Sequence, residues 1–254
     1  MGIIDTHCHI NDEALIGEVE SIIKECHIQN VDKMICVGYD LESSIKAVDL
    51  ANTFEEVYAA VGIHPDSADE YTDEVERRLE ELAKNNHKVV AIGEIGLDYY
   101  WDKASHDVQK RVFASQIELA QRLGLPIIVH NRDAMNDTRE VTARYVPIKG
   151  VMHCYSGSVE MAEVFIKQGF YISLAGPVTF KNAREPKEVA VSIPSDRILV
   201  ETDCPYLTPH PYRGKKNFPY YVRLVAQEVA NLRGVTIEEF EQIETKNVMN
   251  LFNI

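Results

Sequence analysis

Residues 89–98, VVAIGEIGLD, begin with an apolar, β-branched run and carry Glu94 in their second half. Continuous apolar runs of this length are typical of strands that are buried on both faces of a parallel sheet. Seven further runs of the same kind occur along the chain. They are IIDTHCHI (3–10), KMICVG (33–38), VYAAVGIH (57–64), PIIVHNR (126–132), GVMHCYS (150–156), FYISLAG (170–176) and RILVETDC (197–204). The pattern therefore predicts eight strands.

The segments between these runs have helical periodicity. In residues 105–123, apolar side chains recur at helical spacing, Ser105 is placed to cap the N-terminus and Gly124 follows the last apolar position. Strands that each precede a helix or a long loop predict a closed (β/α)8 TIM barrel of the α/β class. The alternative is an open doubly wound sheet, but near-equal units and the lack of a glycine-rich dinucleotide fingerprint favour the barrel. No change of composition marks a linker, so we expect residues 1–254 to form a single domain.

Composition limits the classes of protein to which this chain can belong. It has 254 residues, 45% of them hydrophobic, and a formal net charge of −14, which argues against intrinsic disorder. The acidic balance argues against a protein that coats duplex nucleic acid, although it leaves room for one that handles a nucleic-acid end. Five cysteines, no secretory leader and no apolar run long enough to span a bilayer indicate a cytoplasmic protein with reduced thiols and no membrane partner.

Polar residues that can bind metals or move protons stand where the predicted strands end. They are His7, His9, His64, Glu94, His130, His153 and Asp203. In a TIM barrel these strand ends meet at one mouth, where ligands and catalytic groups lie. Because side chains alternate along a strand, His7 and His9 point to one side and Cys8 to the other. The same alternation is expected to turn Cys154 and Cys204 away from the mouth, as small packing residues.

Four of these histidines, all but His64, form with Glu94 and Asp203 a set that is typical of a site for two divalent metal ions. Any one histidine alone would be a core or loop residue more often than a ligand, but the joint pattern at successive strand ends favours a metal site. The sequence leaves three interpretations of His64 open. It orients substrate, it exchanges protons, or it caps a strand before Pro65.

Candidate substrate-binding residues follow the same strand ends. Arg132 comes two residues after the strand-five histidine and is expected to point into the mouth. Residues 213–217, RGKKN, form a compact basic loop in an acidic chain, and Arg213 and Lys215 are candidates to neutralise a phosphate. A solvated surface turn is the alternative for this loop. Tyr99 and the two aromatic residues after it either stack on bases or pack over the barrel rim.

Together these segments resemble the TatD family of metal-dependent deoxyribonucleases, which is similar to the wider metallo-dependent hydrolase superfamily. The resemblance rests on IIDTHCHI (3–10), VGIHP (61–65), AIGEIGLDYYW (91–101), PIIVHNRDA (126–134), HCYSGS (153–158) and LVETDCPYLTPHPYRGKKNFP (199–219). These motifs occur in the family's order and run along nearly the whole chain. One departure, Tyr155 where phenylalanine is expected more often, touches no candidate ligand.

The resemblance implies how two metals, Mg²⁺, Mn²⁺ or Zn²⁺, are shared. The first would be held by His7, His9, Glu94 and Asp203, and the second by Glu94, His130 and His153. Many superfamily relatives bridge their metals with a carboxylated lysine. No lysine stands at the ends of strands four and five here, which leaves Glu94 as the bridging candidate.

A site of this kind is suited to hydrolysis, because two divalent ions lower the pKa of a shared water and stabilise charge on phosphate oxygens. Asp203 is the expected general base. Glu201, two residues earlier, is expected to fix a ligand, or else it forms a plain structural ion pair. The sequence therefore predicts a phosphodiesterase that trims DNA ends or single strands, and it implies no obligatory protein partner. The alternatives are a metal-dependent ester or amide hydrolase, such as an aminoacyl-tRNA deacylase, and a metal-binding protein without catalysis.

Overall fold

The structure, a computed structural model, describes residues 2–101 and 103–254. Over these residues eight parallel strands form one sheet in sequence order. The strands are β1 (Ile3–Cys8), β2 (Val31–Val37), β3 (Val57–Val61), β4 (Val89–Asp98), β5 (Ile127–Arg132), β6 (Gly150–Met152), β7 (Phe170–Leu174) and β8 (Ile198–Val200).

The first and last strands meet mainly through the residues that follow β8. The His9 N–H donates to the Cys204 carbonyl oxygen at 2.9 Å, and the Asp203 N–H donates to the His7 carbonyl oxygen, also at 2.9 Å. The Thr6 hydroxyl donates to the main-chain carbonyl of the last β8 residue. These bonds bring the sheet round into a nearly closed (β/α)8 barrel, which confirms the predicted fold.

Helices alternate with the strands and pack on the outside of the sheet. They are α1 (Val19–Ile28), α2 (Leu41–Thr53), α3 (Asp73–Asn85), α4 (His106–Leu123), α5 (Met135–Thr142), α6 (Val159–Gln168), α7 (Arg184–Ser192), α8 (Val222–Arg233) and α9 (Ile237–Phe252). Short 3-10 segments lie between them at Ile16–Glu18, Pro65–Glu70, Ala143–Tyr145, Gly176–Thr179, Ser195–Arg197 and Pro219–Tyr221. In the described part of the chain, no helix combines the length and the apolar composition needed to cross a membrane.

Helix α4 begins and ends next to the two cap residues that the sequence indicates, Ser105 and Gly124. The Ser105 hydroxyl accepts a hydrogen bond from the Val108 N–H at 3.4 Å, as an N-cap residue does. Gly124 ends the helix with a φ of 69°, in the left-handed region that glycine enters without strain. The helix predicted over residues 105–123 is therefore confirmed.

The core has two layers, one inside the barrel and one between the sheet and the helices. The inner layer includes Ile4, Ile35, Val37, Ala60, Ala91, Ile128, Val151 and Leu199. The outer layer contains large buried rings such as Phe113 and Phe165. Leu251 and Phe252 of α9 pack onto the inner layer beside Val90, at the start of β4. Helix α9 therefore covers the N-terminal end of the barrel, and the C-terminal ends of the strands stay open for a functional site.

Several predicted strands end earlier than expected, β1, β3 and β7 by two or three residues. The largest differences are at β6, which stops at Met152, and β8, which stops at Val200, so residues 153–156 and 201–204 lie beyond the strands. Cys154 and Asp203 have φ values of 42° and 56°, in the left-handed region, so strand alternation does not set their directions.

Strand alternation, the ground for predicting that Cys154 packs away from the mouth, therefore does not apply to it. Its side chain is only partly buried. Burial, and then the nearby charges of Asp203, Glu201 and Glu94, raise the pKa of its thiol well above the ordinary range. Cys204 is buried, as expected.

Candidate metal centre

Glu94 lies on β4 with 4% of its surface exposed, and its two carboxylate oxygens face two different groups of side chains. Its Oε2 lies 3.5 Å from His7 Nε2 and 3.7 Å from His9 Nε2. Asp203 Oδ1 completes this group, 3.7 Å from His7 Nε2 and 3.4 Å from His9 Nε2. The structure thus brings together the four residues expected at the first metal.

The other oxygen of Glu94, Oε1, faces the second group. It lies 2.8 Å from His130 Nδ1 and 2.9 Å from His153 Nε2. The same two imidazole nitrogens are 3.3 Å apart. His64 Nε2 stands further out, 3.9 Å from Oε1. One carboxylate therefore lies between two clusters of donor atoms.

These donor atoms have the spacing and the chemistry of divalent metal ligands. Two ligand atoms that are each about 2.1 Å from one ion lie roughly 3 to 3.5 Å from each other, close to the distances between the donors here. Four groups in the described residues bring their ligand atoms within 4.8 Å. Three of them lie here: His7, His9 and Glu94; His7, His153 and Asp203; His64, Glu94 and His130. The fourth is Asp5, Cys8 and Cys204. A mixture of imidazole and carboxylate ligands suits zinc and manganese. It suits calcium less well, because calcium prefers oxygen ligands alone. The residues present therefore fit a metal centre.

Partners behind the histidines determine which ring nitrogen faces Glu94. His9 Nδ1 lies 2.9 Å from the Val37 carbonyl oxygen and donates to it, which leaves Nε2 towards the site. His130 is turned the other way, since its Nε2 lies 3.0 Å from Asp98 Oδ2 and its Nδ1 faces Glu94. Partners of this kind hold a ligand's tautomer and orientation and raise its basicity.

Asp98, at the end of β4, is 1% exposed and was not singled out from the sequence. Its Oδ1 accepts hydrogen bonds from the backbone N–H groups of Tyr100, at 2.9 Å, and Trp101, at 3.1 Å. Burial opposes its ionisation, but these bonds and the one from His130 outweigh it and lower the pKa of Asp98 to about 2. One signal was available in the sequence. Asp98 is four residues after Glu94 on the same strand, a spacing that places both on one face.

Glu201 holds His153 in a similar way. His153 Nδ1 lies 3.1 Å from Glu201 Oε1, and that oxygen also accepts from the Cys154 N–H at 2.7 Å. Glu201 is 1% exposed. The contact suits both interpretations of Glu201, because a carboxylate that orients a histidine also forms an ion pair with it when the ring is protonated.

The charges of the cluster depend strongly on one another. Burial opposes the charged form of Glu94, but the charge of His153 and hydrogen bonds from His130, His153 and His7 lower the pKa of Glu94 well below its ordinary value. Burial likewise opposes protonation of His153, yet Glu94 and Glu201 raise the pKa of His153 well above its ordinary value. Negative and positive groups thus stabilise each other here, and a divalent cation can replace the protons of the imidazoles.

The sequence of the chain matches a known family. The family model described as TatD related DNase matches residues 4–253. The chain belongs to the TatD family. It is a metal-dependent hydrolase of that family, as its curated relatives are named. One is the uncharacterized metal-dependent hydrolase YabD of Bacillus subtilis, which is 46% identical over 99% of both chains. Another is the uncharacterized metal-dependent hydrolase YcfH of Escherichia coli, 38% identical over 100% of this chain and 97% of its own.

Solved structures of TatD proteins share the barrel. The crystal structure of YjjV, a TatD homologue of Escherichia coli, superposes with a TM-score of 0.94 at 30% identity, covering 99% of this chain and 98% of its own. A TatD family hydrolase of Entamoeba histolytica superposes with a TM-score of 0.90 at 23% identity, covering 99% and 98%. The second likeness supports the fold alone.

His64 has a different environment from the other histidines of this TatD protein. Its Nδ1 accepts a hydrogen bond from the Asp66 N–H at 3.1 Å, so it caps the turn that begins at Pro65. Burial, and then the charge of His130, lower the pKa of His64 to about 4. His64 is therefore neutral near pH 7 with its proton on Nε2, which faces Glu94 Oε1. The capping contact exists, and it leaves the other two interpretations of His64 open.

The aromatic residues of the TatD segment 91–101 separate into two groups. Tyr99 donates its hydroxyl to Asp137 Oδ2 at 2.7 Å, and its ring stacks on His106 with centroids 3.5 Å apart. Tyr100 and Trp101 are instead 55% and 56% exposed. The structure therefore favours packing for Tyr99, and it leaves the next two rings exposed beside Arg132.

The two predicted substrate-binding arginines are each stacked on a ring. Arg132, at the end of β5, has its guanidinium carbon 3.7 Å from the centroid of Tyr100. Arg213 has its guanidinium carbon 4.4 Å from the centroid of Phe180. Lys215, the other basic residue predicted to bind substrate, lies over the ring of Tyr212 at 5.5 Å. The basic loop is thus exposed but not a single cluster.

Asn217, the last residue of the RGKKN loop, is fully buried and was missed as a structural residue. Its Nδ2 donates to the carbonyl oxygens of Thr202, at 2.9 Å, and Tyr206, at 2.6 Å. Its Oδ1 accepts from the Phe218 N–H at 2.9 Å. Asn217 therefore fastens the end of the basic loop to the residue that precedes Asp203.

Proposed function

We propose that this TatD protein is a phosphodiesterase that uses two divalent ions, Mg²⁺, Mn²⁺ or Zn²⁺, to hydrolyse DNA at its ends or in single strands. The proposal rests on the position of the Glu94 carboxylate. One of its oxygens faces His7 and His9, and the other faces His130 and His153. Two-metal sites bridged in this way suit phosphodiester displacement, because attacking and leaving oxygens both need stabilisation. The description of the family as TatD related DNase supports the same substrate class.

The proposed ligands fall into two sets that share one residue. They are His7, His9, Glu94 and Asp203 for one ion, and Glu94, His130 and His153 for the other. Bound divalent ions supply two kinds of chemistry, lowering the pKa of coordinated water and neutralising charge on phosphate oxygens.

The chain's own groups complete the reaction. Asp203 keeps its negative charge, since burial is outweighed by the hydrogen bond from His9 and by nearby imidazole charges, which lower the pKa of Asp203. We assign to Asp203 the role of general base, which accepts a proton from the attacking water. His64 carries its proton on Nε2, 3.9 Å from Glu94 Oε1, and is placed to donate to an oxygen of the substrate. Glu201 and Asp98 keep the histidines of the second ion oriented.

The substrate is proposed to contact the exposed groups beside the second ion. Arg132 lies two residues beyond His130 and points its guanidinium at the ring of Tyr100, which leaves its N–H groups for a phosphate. Tyr100 and Trp101 replace Tyr99 as the rings on which a base would stack. All five cysteines are free thiols, which supports a reducing, cytoplasmic location.

The test is a substrate panel at controlled metal content. End-labelled single strands, duplexes and RNA, together with an ester, a lactone and an aminoacyl-tRNA, are incubated with Mg²⁺, Mn²⁺ or Zn²⁺. The proposal expects release of nucleotides from DNA that stops in chelator and in the Glu94→Gln variant. Faster turnover of an acyl substrate than of every nucleic acid would contradict it and favour the deacylase alternative.

A further inference from the structure

A surface cavity of about 570 Å³ lies between the loops that follow β7 and β8. Its lining residues are Phe180, Lys181, Asn182, Ala183, His210 and Arg213. Both loops leave the C-terminal ends of their strands, so the cavity belongs to the same rim of the barrel as the metal centre. Loops after strands seven and eight are also where barrels of this architecture commonly bind phosphate groups.

The charge of this cavity is opposite to that of the molecule. Three of its six lining residues are basic or imidazole side chains and none is acidic, in a chain of net charge −14. Over residues 2–101 and 103–254, neither Lys181 nor Arg213 has a carboxylate within ion-pairing distance. Their donors are therefore uncommitted, and an anion can enter without displacing an acidic partner.

Arg213 is held in place without using its hydrogen-bond donors. Its guanidinium carbon lies 4.4 Å from the centroid of the Phe180 ring, so the ring restrains the planar group from one face. Stacking leaves the N–H groups at the edge of the guanidinium available, and these match the oxygens of a phosphate.

The walls of the cavity are tied to each other and to the metal centre. The His210 N–H donates to the Thr179 hydroxyl at 2.8 Å, which joins the two loops. Asn217 binds the far end of the same loop to the Thr202 carbonyl at 2.9 Å, next to Asp203. The loop that carries Arg213 is thus joined at its far end to the residue before Asp203.

We propose that this cavity binds a phosphate group of the substrate strand other than the one that is cleaved, through Arg213 and Lys181. The inference rests on the proposed function for the identity of the strand, but binding of a phosphate at the cavity is a separate property. Because of this additional contact, the enzyme should prefer strands that are long enough to carry a second phosphate.

The binding arm of the test uses metal-free protein, so it is independent of hydrolysis. Fluorescence anisotropy measures the affinity for an oligothymidylate of about ten nucleotides in excess chelator, over a range of salt. The double variant Arg213→Ala, Lys181→Ala should bind about tenfold more weakly or worse. Its slope of log affinity against log salt should be shallower by roughly 1.4, the value for two lost contacts to a single strand.

Matched controls exist at the opposite end of the barrel. Arg197 is also stacked on a ring, with its guanidinium carbon 5.0 Å from the centroid of Tyr171, and it precedes β8. Lys149 is exposed and precedes β6. The double variant Arg197→Ala, Lys149→Ala removes the same charge and one arginine stack, and it should keep the wild-type affinity and salt slope.

The activity arm compares a long substrate with a minimal one. The Arg213→Ala, Lys181→Ala variant should lose activity on the oligonucleotide, mainly through KM, by a much larger factor than on bis(p-nitrophenyl) phosphate, which has one phosphodiester. Unchanged binding of the oligonucleotide in chelator, equal losses in the control variant, or no binding by the wild type would each overturn the phosphate site. Binding as expected without hydrolysis of any nucleic acid would instead contradict the proposed function and leave the phosphate site standing.

Discussion

Asp203 has two roles in the proposed reaction, ligand and proton acceptor, and one substitution separates them. Asp203→Asn keeps an oxygen that can approach an ion but removes the charge and the basic site. Turnover should fall by a factor on the order of 10² to 10⁴, the usual contribution of a positioned general base. The ion held by Glu94, His130 and His153 should remain. Metal content and kcat measured on one preparation check both statements.

The control for this variant is Asp196→Asn, which removes an exposed charge before β8 and should leave turnover unchanged. Near-normal turnover of Asp203→Asn with both ions bound would show that the general base lies elsewhere. His64 would then be the next residue to substitute, since its Nε2 lies 3.9 Å from Glu94 Oε1 in the same candidate metal centre.

Asp98 permits a prediction about the second ion alone. Replacing it with asparagine weakens the acceptor that faces His130 Nε2, so the affinity for the second ion should fall by about 10- to 100-fold. The first ion, whose ligands Asp98 does not touch, should bind as before. Titration calorimetry of the metal-free protein separates the two sites.

Trp101 gives this variant an independent readout. It is the single tryptophan of the chain, and its backbone N–H donates to Asp98 Oδ1. Because this bond positions the residue that carries the ring, the fluorescence of Trp101 should change in Asp98→Asn even without metal. Asp133→Asn is the matched control, because Asp133 is exposed and has a φ of 55°, which asparagine tolerates. Wild-type affinity at both ion sites in Asp98→Asn would contradict the orienting role.

Among the elements, β4 and β8 show how far the sequence predicted the structure. The strand predicted over 89–98 is β4 itself, because an unbroken apolar run with a polar end leaves one arrangement in a parallel sheet. β8 spans only Ile198–Val200. Its predicted extension to residue 204 is wrong, and Asp203 beyond it adopts a left-handed conformation that no local pattern signals.

The residues of the candidate site also differ in whether a local sequence pattern indicates them. The residues of the candidate metal centre could be predicted because each stands at the end of an apolar run, a local signal, and the structure brings their side chains together. Asp98 and Asn217 were missed because their importance depends on partners far along the chain, His130 for the first and Thr202 for the second. Pairings of that kind depend on register and loop path, which apolar patterns do not encode.

The N-terminus of α9 gives a prediction at the scale of one element. The Thr236 hydroxyl accepts from the Glu239 N–H at 3.2 Å, and Glu239 Oε2 accepts from the Thr236 N–H at 2.9 Å, which is a capping box. Thr236→Ala should therefore lower the free energy of unfolding by about 1 kcal/mol. Thr236→Ser keeps the hydroxyl and should lose much less. Urea denaturation measures both, and equal losses in the two variants would contradict the capping role.

At the scale of the whole molecule, the metal centre and the source of stability are separate. The inner core and α9 fill the barrel from its N-terminal end, and backbone bonds from His9 and Asp203 close the sheet. The side chains of the candidate centre lie at the opposite, C-terminal end of the strands and are paired with one another, such as Glu94 with His130 and His153.

Removal of metal should accordingly abolish hydrolysis while the protein stays folded. In excess chelator the far-UV circular dichroism should be unchanged, because the hydrophobic core and the backbone hydrogen bonds remain. Metal at about 100 times its dissociation constant should add roughly 2.7 kcal/mol per site, since it binds the folded state alone. For a chain of this length that corresponds to a rise in Tm of roughly 5 to 10 °C for one site. Restoring metal to the chelated protein should restore activity, which controls for irreversible damage. Loss of helical signal in chelator would show that the ions stabilise the barrel itself, and full activity in chelator would exclude a reaction that depends on them.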